Sequence, residues 1–460
     1  MPYRSDRVAS SAPAVDDLVQ ARTREGRAPA ASWALVTPEG VVAAGAAADG
    51  AVGPVPGPRA AFRVASCTKS FTAAALLQVV ETGGLALETP LDEVLRVRVL
   101  GASRAPTLGE LASMAGGIPV DDPWADRQES MPADVFDAML EDGVRLVREP
   151  GTRYEYSSLG YAILGRVLEV ATGTPYPALV RERLLEPLGL TELAFDRGAG
   201  VPIAPGFARV DGEWAEQPWA EPGAFSALGG IVASPSGLAR WAGWLASAWR
   251  LDADDAVLPA AARRRMSTPV TPVPDVDGRA YGYGLVVEED PRHGRVISHS
   301  GGYPGYGAHM RWHVSSGIGV VVLENARYSG ATQPATRALS LLLDAARAED
   351  DLDLWPETVA ARDLVERLLR QWDDDALDAL AADDLALDET FDRRRRGVEA
   401  LAQRIGVPAA VAPLHVASPW SDSPAHLVWS VFGERGALRC EVRLTPVAQP
   451  RLQTMVVRLG

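Results

Sequence analysis

Phe62-Arg-Val-Ala-Ser66-Cys67-Thr68-Lys69-Ser70-Phe71, continued by Thr-Ala-Ala-Ala-Leu-Leu-Gln-Val-Val80, is the stretch on which the reading of this chain turns. Lysine and arginine together number 45, yet Lys69 is the only lysine among the 460 residues. Arginine keeps its proton in any protein environment, whereas a buried lysine can release it. A chain that writes arginine wherever a positive charge will serve has therefore kept one titratable amine in one place. The apolar run from Phe71 to Val80 reads as a buried helix. With a helix start near Ser66, residues 66 and 69 share a face. Hydroxyl and amine then lie side by side at the positive end of the helix, where an anion formed at serine is tolerated. Ser-x-x-Lys also arises by chance in chains of this length, so the isolation of the lysine carries the weight.

Composition bounds what the chain can be. It is 47% apolar and 23% charged, which is ordinary for a soluble globular protein, and it is long enough for about two or three cores. With 60 acidic residues against 45 basic ones the formal charge is -15, which argues against a nucleic-acid partner. Met1-Pro-Tyr-Arg-Ser-Asp-Arg7 leads into polar sequence without the apolar core of a signal peptide. No later stretch has the length and apolarity of a membrane span, so a cytoplasmic enzyme is expected. Cys67 and Cys440 are too far apart in sequence to form a framework, and Cys67 is expected to pack behind Ser66. The histidines form no zinc motif; His309 and His313 have helical ligand spacing, but the run around them alternates like a strand. No metal or cofactor is expected.

Outward from Ser66, the pattern predicts an amphipathic helix over Val15 to Arg27 and a hairpin from Ala31–Val36 and Val41–Gly45 about a Pro-Glu-Gly turn. Helical patterns broken by Gly and Pro occupy about residues 85–250: Leu159 to Thr172, Pro177 to Leu185 and Gly237 to Trp249. The period then changes to strands at Gly282–Val287, Gly294–His299, Gly307–Trp312 and Gly317–Leu323, followed by a helix over Thr332 to Ala348. Strands at both ends with helices between them predict one sheet assembled from the two ends, with a helical lobe inserted. This gives an α+β module over 1–348.

The acidic stretch Glu349–Asp353 reads as a linker to a separate unit over 349–460. That unit should hold helices over Val359–Trp372, Asp374–Ala382 and Arg394–Ile405, then strands over Ala425–Phe432, Ala437–Leu444 and Arg451–Leu459. It is a small α+β accessory domain, expected to shape the entrance of the cleft or make a homodimer contact. The basic run Arg393–Arg396 within it reads as a solvated helix face rather than an anion site.

Two further segments complete a constellation. Tyr154-Glu-Tyr156-Ser157-Ser158-Leu-Gly160 sets a tyrosine at the entry of a helix, and His299-Ser300-Gly301-Gly302-Tyr303 ends a strand in glycines. With Ser66-x-x-Lys69 these stand in the order and approximate spacing of three motifs, Ser-x-x-Lys, Tyr-x-Asn and Lys/His-x-Gly. Here the chain closely resembles the serine hydrolases of the class C β-lactamase and penicillin-binding-protein superfamily. The resemblance extends to Glu186–Thr191, Leu228–Ser234 and His299–Asn325, and it covers roughly Val15 to Ala348. It implies a serine β-lactamase/DD-peptidase-like fold.

The resemblance also implies roles. Ser66 would be the acylated nucleophile and Lys69 the holder or acceptor of its proton. Tyr156 would shuttle a proton to the leaving group, the alternative being an aromatic packing residue at the helix entry. His299 takes the place of a lysine found in many β-lactamases and would complete the proton network; a histidine in an apolar strand is otherwise a satisfied core residue. The backbone N–H groups of Ser66 and Gly302 would form the oxyanion hole, with Gly301 letting the strand edge approach the acyl group. Trp124, in the loop Met114–Trp124, would line the cleft or cover the core. One position departs from the motif: Ser158 replaces its asparagine and cannot offer the same donor and acceptor pair. Asn325 is the only asparagine in the chain.

The expected activity is a cofactor-free serine hydrolase that forms an acyl-enzyme from esters or D-configured peptide amides, with weak or no action on β-lactams. An acyltransferase or stand-alone peptide-releasing thioesterase, in which an amine or alcohol replaces water, is the alternative within catalysis. A non-catalytic ligand-binding relative is the alternative outside it.

Overall fold

After a short helical turn at Asp6–Ser10 come helix α1 (Ala12–Arg24) and strands β1 (Ala30–Thr37) and β2 (Gly40–Ala48). The computed structural model describes residues 5–50, 52, 57–197, 200–250, 253–346, 354–407, 421–433 and 436–459. All eight residues of β1 are buried, as a strand covered on both faces requires. On one face Trp33 donates from its indole N–H to Asp16 of α1 at 2.9 Å. The expected helix over Val15 to Arg27 begins and ends three residues earlier, because Ala12-Pro13 opens α1 and Gly26, at φ +65°, lies beyond its end.

The Ser66 segment enters through a three-residue 3₁₀ turn, Ala65–Cys67, and continues as α2 (Thr68–Glu81). This helix is apolar nearly all round and correspondingly buried, as a central helix must be. Phe71 stacks on Trp241 with ring centroids 3.9 Å apart, and the Trp241 indole donates to Ser70 Oγ at 2.9 Å. Two more helices frame it, α3 (Ser158–Thr172) and α4 (Pro235–Ala246). α4 covers the other face of β1, where Gly243 leaves room for Val36: a Cβ there would lie 2.8 Å from a Val36 methyl. Pro177 to Leu185, expected as one helix, is a short α-helix, Tyr176–Val180, followed by a π turn over Arg181–Leu185.

The other strands of the main sheet are β3 (Thr271–Pro272), β4 (Arg279–Tyr281), β5 (Val286–Asp290), β6 (Gly294–Tyr303), β7 (Tyr306–His313) and β8 (Gly319–Glu324), followed by helix α5 (Thr332–Ala346). They join the opening hairpin in one eight-stranded sheet, ordered β3-β4-β5-β6-β7-β8-β1-β2, with every neighbouring pair antiparallel. The last strand of the module therefore pairs with the first, Ala31 opposite Glu324. Arg22 of α1 crosses the same junction and holds the Glu324 carboxylate at 2.9 Å, both side chains buried. The sheet is thus built from both ends of the module with the helical segments inserted between, as expected.

Gly282–Val287, expected as a strand, is instead a turn between β4 and β5 that enters β5 at Val286. Gly284 has φ +72°, and a Cβ there would sit 2.6 Å from the Lys69 carbonyl oxygen. Gly284 serves close approach to α2, and Gly282 close approach to the carbonyls of Met266 and Thr268, rather than extending a strand.

The chain forms two compact units that divide between Leu343 and Asp344. The acidic linker predicted at Glu349–Asp353 lies outside the described residues. The C-terminal unit contains α6 (Pro356–Leu368), α7 (Asp374–Leu380), α8 (Asp383–Asp388) and α9 (Phe391–Ile405), then a meander of β9 (His426–Gly433), β10 (Gly436–Leu444) and β11 (Leu452–Leu459). Its own core forms around Leu364, Val365, Trp429 and Val442. In the basic run, Arg393, Arg395 and Arg396 face solvent and pair with acidic neighbours, as expected. Arg394 instead turns inward and donates to the carbonyl oxygens of Met455 and Leu385. Among the described residues no helix is long and apolar enough to cross a membrane.

Candidate active site

The residue before the nucleophile candidate is bent against its preference: Ala65 has φ +50°, a left-handed conformation that costs a residue with a Cβ on the order of 1 kcal/mol. The bend is held on both sides, by Val64 N–H on Ile231 O at 3.0 Å and Cys67 N–H on Val64 O at 3.1 Å. It lifts Ser66 to the start of α2 with 7% of its surface exposed. One turn on, Lys69 is wholly buried, and its Nζ donates to Ser66 Oγ at 2.9 Å, Ser158 Oγ at 3.1 Å and Leu228 O at 3.2 Å. The ammonium's three protons thus have three acceptors.

Tyr156 precedes α3 and lies on the same cluster. Its hydroxyl is hydrogen-bonded with Ser66, and its ring centroid is 5.1 Å from Lys69 Nζ. Tyr161, one turn into α3, places its own ring 5.7 Å from the amine. Burial pushes the Lys69 amine down from its ordinary value, opposed by the nearby Asp122, Asp126 and Asp121. Burial, reinforced by Asp122, drives the Tyr156 phenol well above its ordinary value, opposed by its bond with Ser66. Both shifts favour the neutral forms. A neutral amine is a base, whereas a neutral phenol is a proton donor, so the environment separates the two roles.

Strand β6 supplies the opposite wall. A Cβ at Gly301 would lie 2.4 Å from Val64 O and 3.1 Å from Ser66 N, so glycine is what allows the strand edge to reach the Ser66 turn. Cys67 packs beneath, its thiol donating to His299 O at 3.2 Å, and burial raises that thiol to about 12. At Gly302 a Cβ would run into the ring of Tyr328, whose hydroxyl donates to Asp126 at 2.6 Å. Trp124 stands 43% exposed, its edge against Phe225 with centroids 5.7 Å apart.

His299 is nearly fully buried, and its bonds lead away from Ser66. Nδ1 donates to Ser300 O at 2.6 Å, so Nε2 is the acceptor for the Tyr281 hydroxyl at 2.8 Å. Burial, then the charge of Lys69, lowers the imidazole to about 3, which keeps it neutral. Its ring centroid is 6.4 Å from that of Tyr156, with Tyr281 packed against both. His309 and His313 have separate partners, Thr332 for one and Ser316 with His293 O for the other. Among the described residues no group of three or more His, Cys, Asp or Glu could hold a metal.

Sequence reasoning missed the carboxylates. Asp121 caps α3 from outside: it accepts from Ser158 N–H at 2.7 Å, Leu159 N–H at 2.9 Å and Ser157 Oγ at 2.9 Å. Asp122 accepts from Ser158 Oγ at 2.7 Å. Burial raises Asp126 to about 6. Glu129, buried beneath this loop, accepts from Ser226 Oγ at 2.7 Å and Tyr303 Oη at 3.1 Å beside Arg63, and so ties the loop to the floor of the cleft. Their signal was the pair Asp121-Asp122 within the loop already read as lining the cleft; neither carboxylate sits in a periodic pattern or a motif.

The beta-lactamase family profile matches residues 15–345, and the chain belongs to that family. Penicillin-binding protein 4* of Bacillus subtilis (strain 168) is 25% identical over 279 residues, 57% of this chain and 60% of that protein. The chain thus spans less than two thirds of the length of the curated relatives it matches. Among solved structures, an octameric penicillin-binding protein homologue from Pyrococcus abyssi superposes with TM-score 0.64 at 20% identity, covering 97% of this chain and 100% of the other. EstCE1, described as a hydrolase with promiscuous acyltransferase activity, gives TM-score 0.61 at 20% identity over 73% and 100%. These neighbours carry the same mixed fold, a large antiparallel sheet flanked by helices.

Proposed function

We propose that this chain is a serine hydrolase that forms an acyl-enzyme at Ser66, with esters or D-configured peptide amides as acyl donors. The observation that carries the reading is Lys69 Nζ at 2.9 Å from Ser66 Oγ, in a site whose burial disfavours the ammonium. A neutral Lys69 takes the Ser66 proton as Oγ attacks the acyl carbonyl. The N–H groups of Ser66 and Gly302 receive the oxyanion. The proton held on Lys69 passes through the Tyr156 hydroxyl to the leaving oxygen or nitrogen, and water then resolves the ester by the reverse path. His299 belongs to the wall: it orients Tyr281, which packs on Tyr156.

Ser158 supports a preference among acyl donors. Its hydroxyl is engaged by Lys69 and Asp122, leaving no amide N–H for a substrate carbonyl. Activated esters depend least on such a clamp. Short-chain aryl esters should therefore be turned over far better than penicillins or cephalosporins, and Ser158→Asn should narrow the gap. A panel of aryl esters, D-alanyl amides and β-lactams, with and without an added alcohol acceptor, tests this. Efficient β-lactam hydrolysis by the unaltered chain would contradict it, as would an ester-to-amide ratio indifferent to Ser158→Asn.

For the C-terminal unit we propose self-association. It exposes Leu387 at 85% and Leu459 at 42%, and the octameric homologue from Pyrococcus abyssi has matching fold over 97% of this chain.

A further inference from the structure

A hydroxyl is a poor substitute for an amide in one respect: it has a single proton on a rotor and can turn that proton either way. Ser158 Oγ lies between Lys69 Nζ at 3.1 Å and Asp122 Oδ1 at 2.7 Å. A carboxylate only accepts, so the Ser158 proton goes to Asp122 and its lone pairs face Lys69. The Leu228 carbonyl, at 3.2 Å, also only accepts. Once Lys69 has lost a proton, its two remaining N–H groups are taken by Ser158 and Leu228. Its lone pair is then left for Ser66, the third neighbour at 2.9 Å. A Ser158 hydroxyl free to rotate could instead donate to the neutral amine and occupy that lone pair.

We propose that Asp122 is a positioning residue: it fixes the Ser158 hydroxyl as an acceptor and so directs the free lone pair of Lys69 to Ser66. The pair Ser158–Asp122 offers Lys69 the acceptor that the amide oxygen of an asparagine would offer in the Tyr-x-Asn motif. Asp121 keeps Asp122 in place by its three bonds to the start of α3. The inference rests on the reading of Ser66 as nucleophile and Lys69 as its base.

Asp122 also acts on Lys69 by charge. The groups facing the amine are Asp121, Asp122 and Asp126 of the loop, Tyr156 and Tyr161 at the start of α3, Cys67 beside Ser66, and His299 of β6. Of these, Asp122 contributes the largest charge effect favouring the ammonium. Because the base form is the neutral amine, activity rises with pH through the Lys69 ionisation. Removing Asp122 therefore moves the acid limb of the profile to lower pH. A residue that only holds the loop would not move it.

The test is kcat, KM and the pH profile of kcat/KM for a short-chain aryl ester, measured on the full chain for the unaltered protein, Asp122→Ala, Ser158→Asn and the double variant. Fluorophosphonate labelling of each, and of Ser66→Ala, accompanies it. Asp122→Ala should lower kcat by about tenfold to a hundredfold, the scale of a misdirected general base, with KM changed less than about threefold. The double variant should match Ser158→Asn in kcat within about twofold, because no Ser158 hydroxyl remains for Asp122 to fix. That second comparison stands even if Asp122→Ala alone does not fold. A further loss of about tenfold in the double variant relative to Ser158→Asn would overturn the proposal, as would a kcat for folded Asp122→Ala within about twofold of the unaltered protein or an unmoved acid limb. Labelling that survives Ser66→Ala overturns the serine reading and this proposal with it. Ser66-dependent labelling with rates indifferent to Asp122 overturns this proposal alone.

Discussion

Lys69 shows how one side chain can be both charged by its neighbours and discharged by its burial. Full burial lowers its proton affinity, while three carboxylates in the adjoining loop raise it again. Lys69→Arg keeps a permanent charge and loses the exchangeable proton, so it should reduce ester turnover by about a hundredfold or more. Retention of more than about a tenth of the rate would make Lys69 an electrostatic anchor only. That Ser66 and Lys69 lie side by side was legible in the sequence, because a spacing of three at a helix start fixes their separation. Asp122 was not, because its contact with Ser158 joins residues 36 apart through a loop without periodicity. The sole asparagine has a structural use: Asn325 accepts from Ala30 N–H at 2.7 Å and donates to Pro205 O at 3.0 Å, which takes both an amide donor and an acceptor.

Strand β6 brings glycines to the Ser66 turn and a histidine into the wall, and each makes a prediction at the scale of the element. Gly301→Ala would set a methyl carbon 2.4 Å from Val64 O, a backbone atom that cannot rotate away. It should destabilise the fold by about 1–3 kcal/mol and slow acylation of Ser66, readable as a lower melting temperature and a slower labelling rate. A variant with unchanged stability and labelling would mean that strand and turn are not in contact.

The neighbouring histidines bear on pH. His299, at about 3, and His309, well below its ordinary value, are held neutral chiefly by burial. Below about pH 6.5 the unfolded imidazoles take up protons that the folded ones refuse, so this contribution to stability is lost as pH falls. Asp126, raised to about 6, and Glu129 act with the opposite sign, since the folded state binds their protons more tightly. The readable quantity is therefore a difference: His309→Gln should reduce the fall in melting temperature between pH 7 and pH 5. A steeper fall would contradict the assignment. Strand positions β6 to β8 were legible because each alternates or runs apolar between turn residues. Gly282–Val287 was misread because a glycine that permits close packing on α2 looks, in sequence, like one that punctuates a strand.

The whole molecule joins two units with separate cores. A chain ending at Ala348 keeps the entire eight-stranded sheet and every residue assigned to the site. It should fold, be labelled at Ser66 at an undiminished rate, and scatter light as a smaller assembly than the full chain. Equal assembly states would remove the C-terminal unit from self-association, and an insoluble product would show that the two cores do not fold independently. Sheet closure was legible at this scale because strand patterns flank a helical middle and two ends of one module must meet. The assembly state was not, since it depends on surfaces whose complementarity leaves no pattern in a single sequence. Covalent acylation of Ser66 is read out by intact mass spectrometry of the full chain after brief exposure to a fluorophosphonate. One adduct per chain is expected, mapped to the peptide containing Ser66 and absent from Ser66→Ala; an adduct on another residue, or one that persists in Ser66→Ala, would contradict Ser66 as the nucleophile.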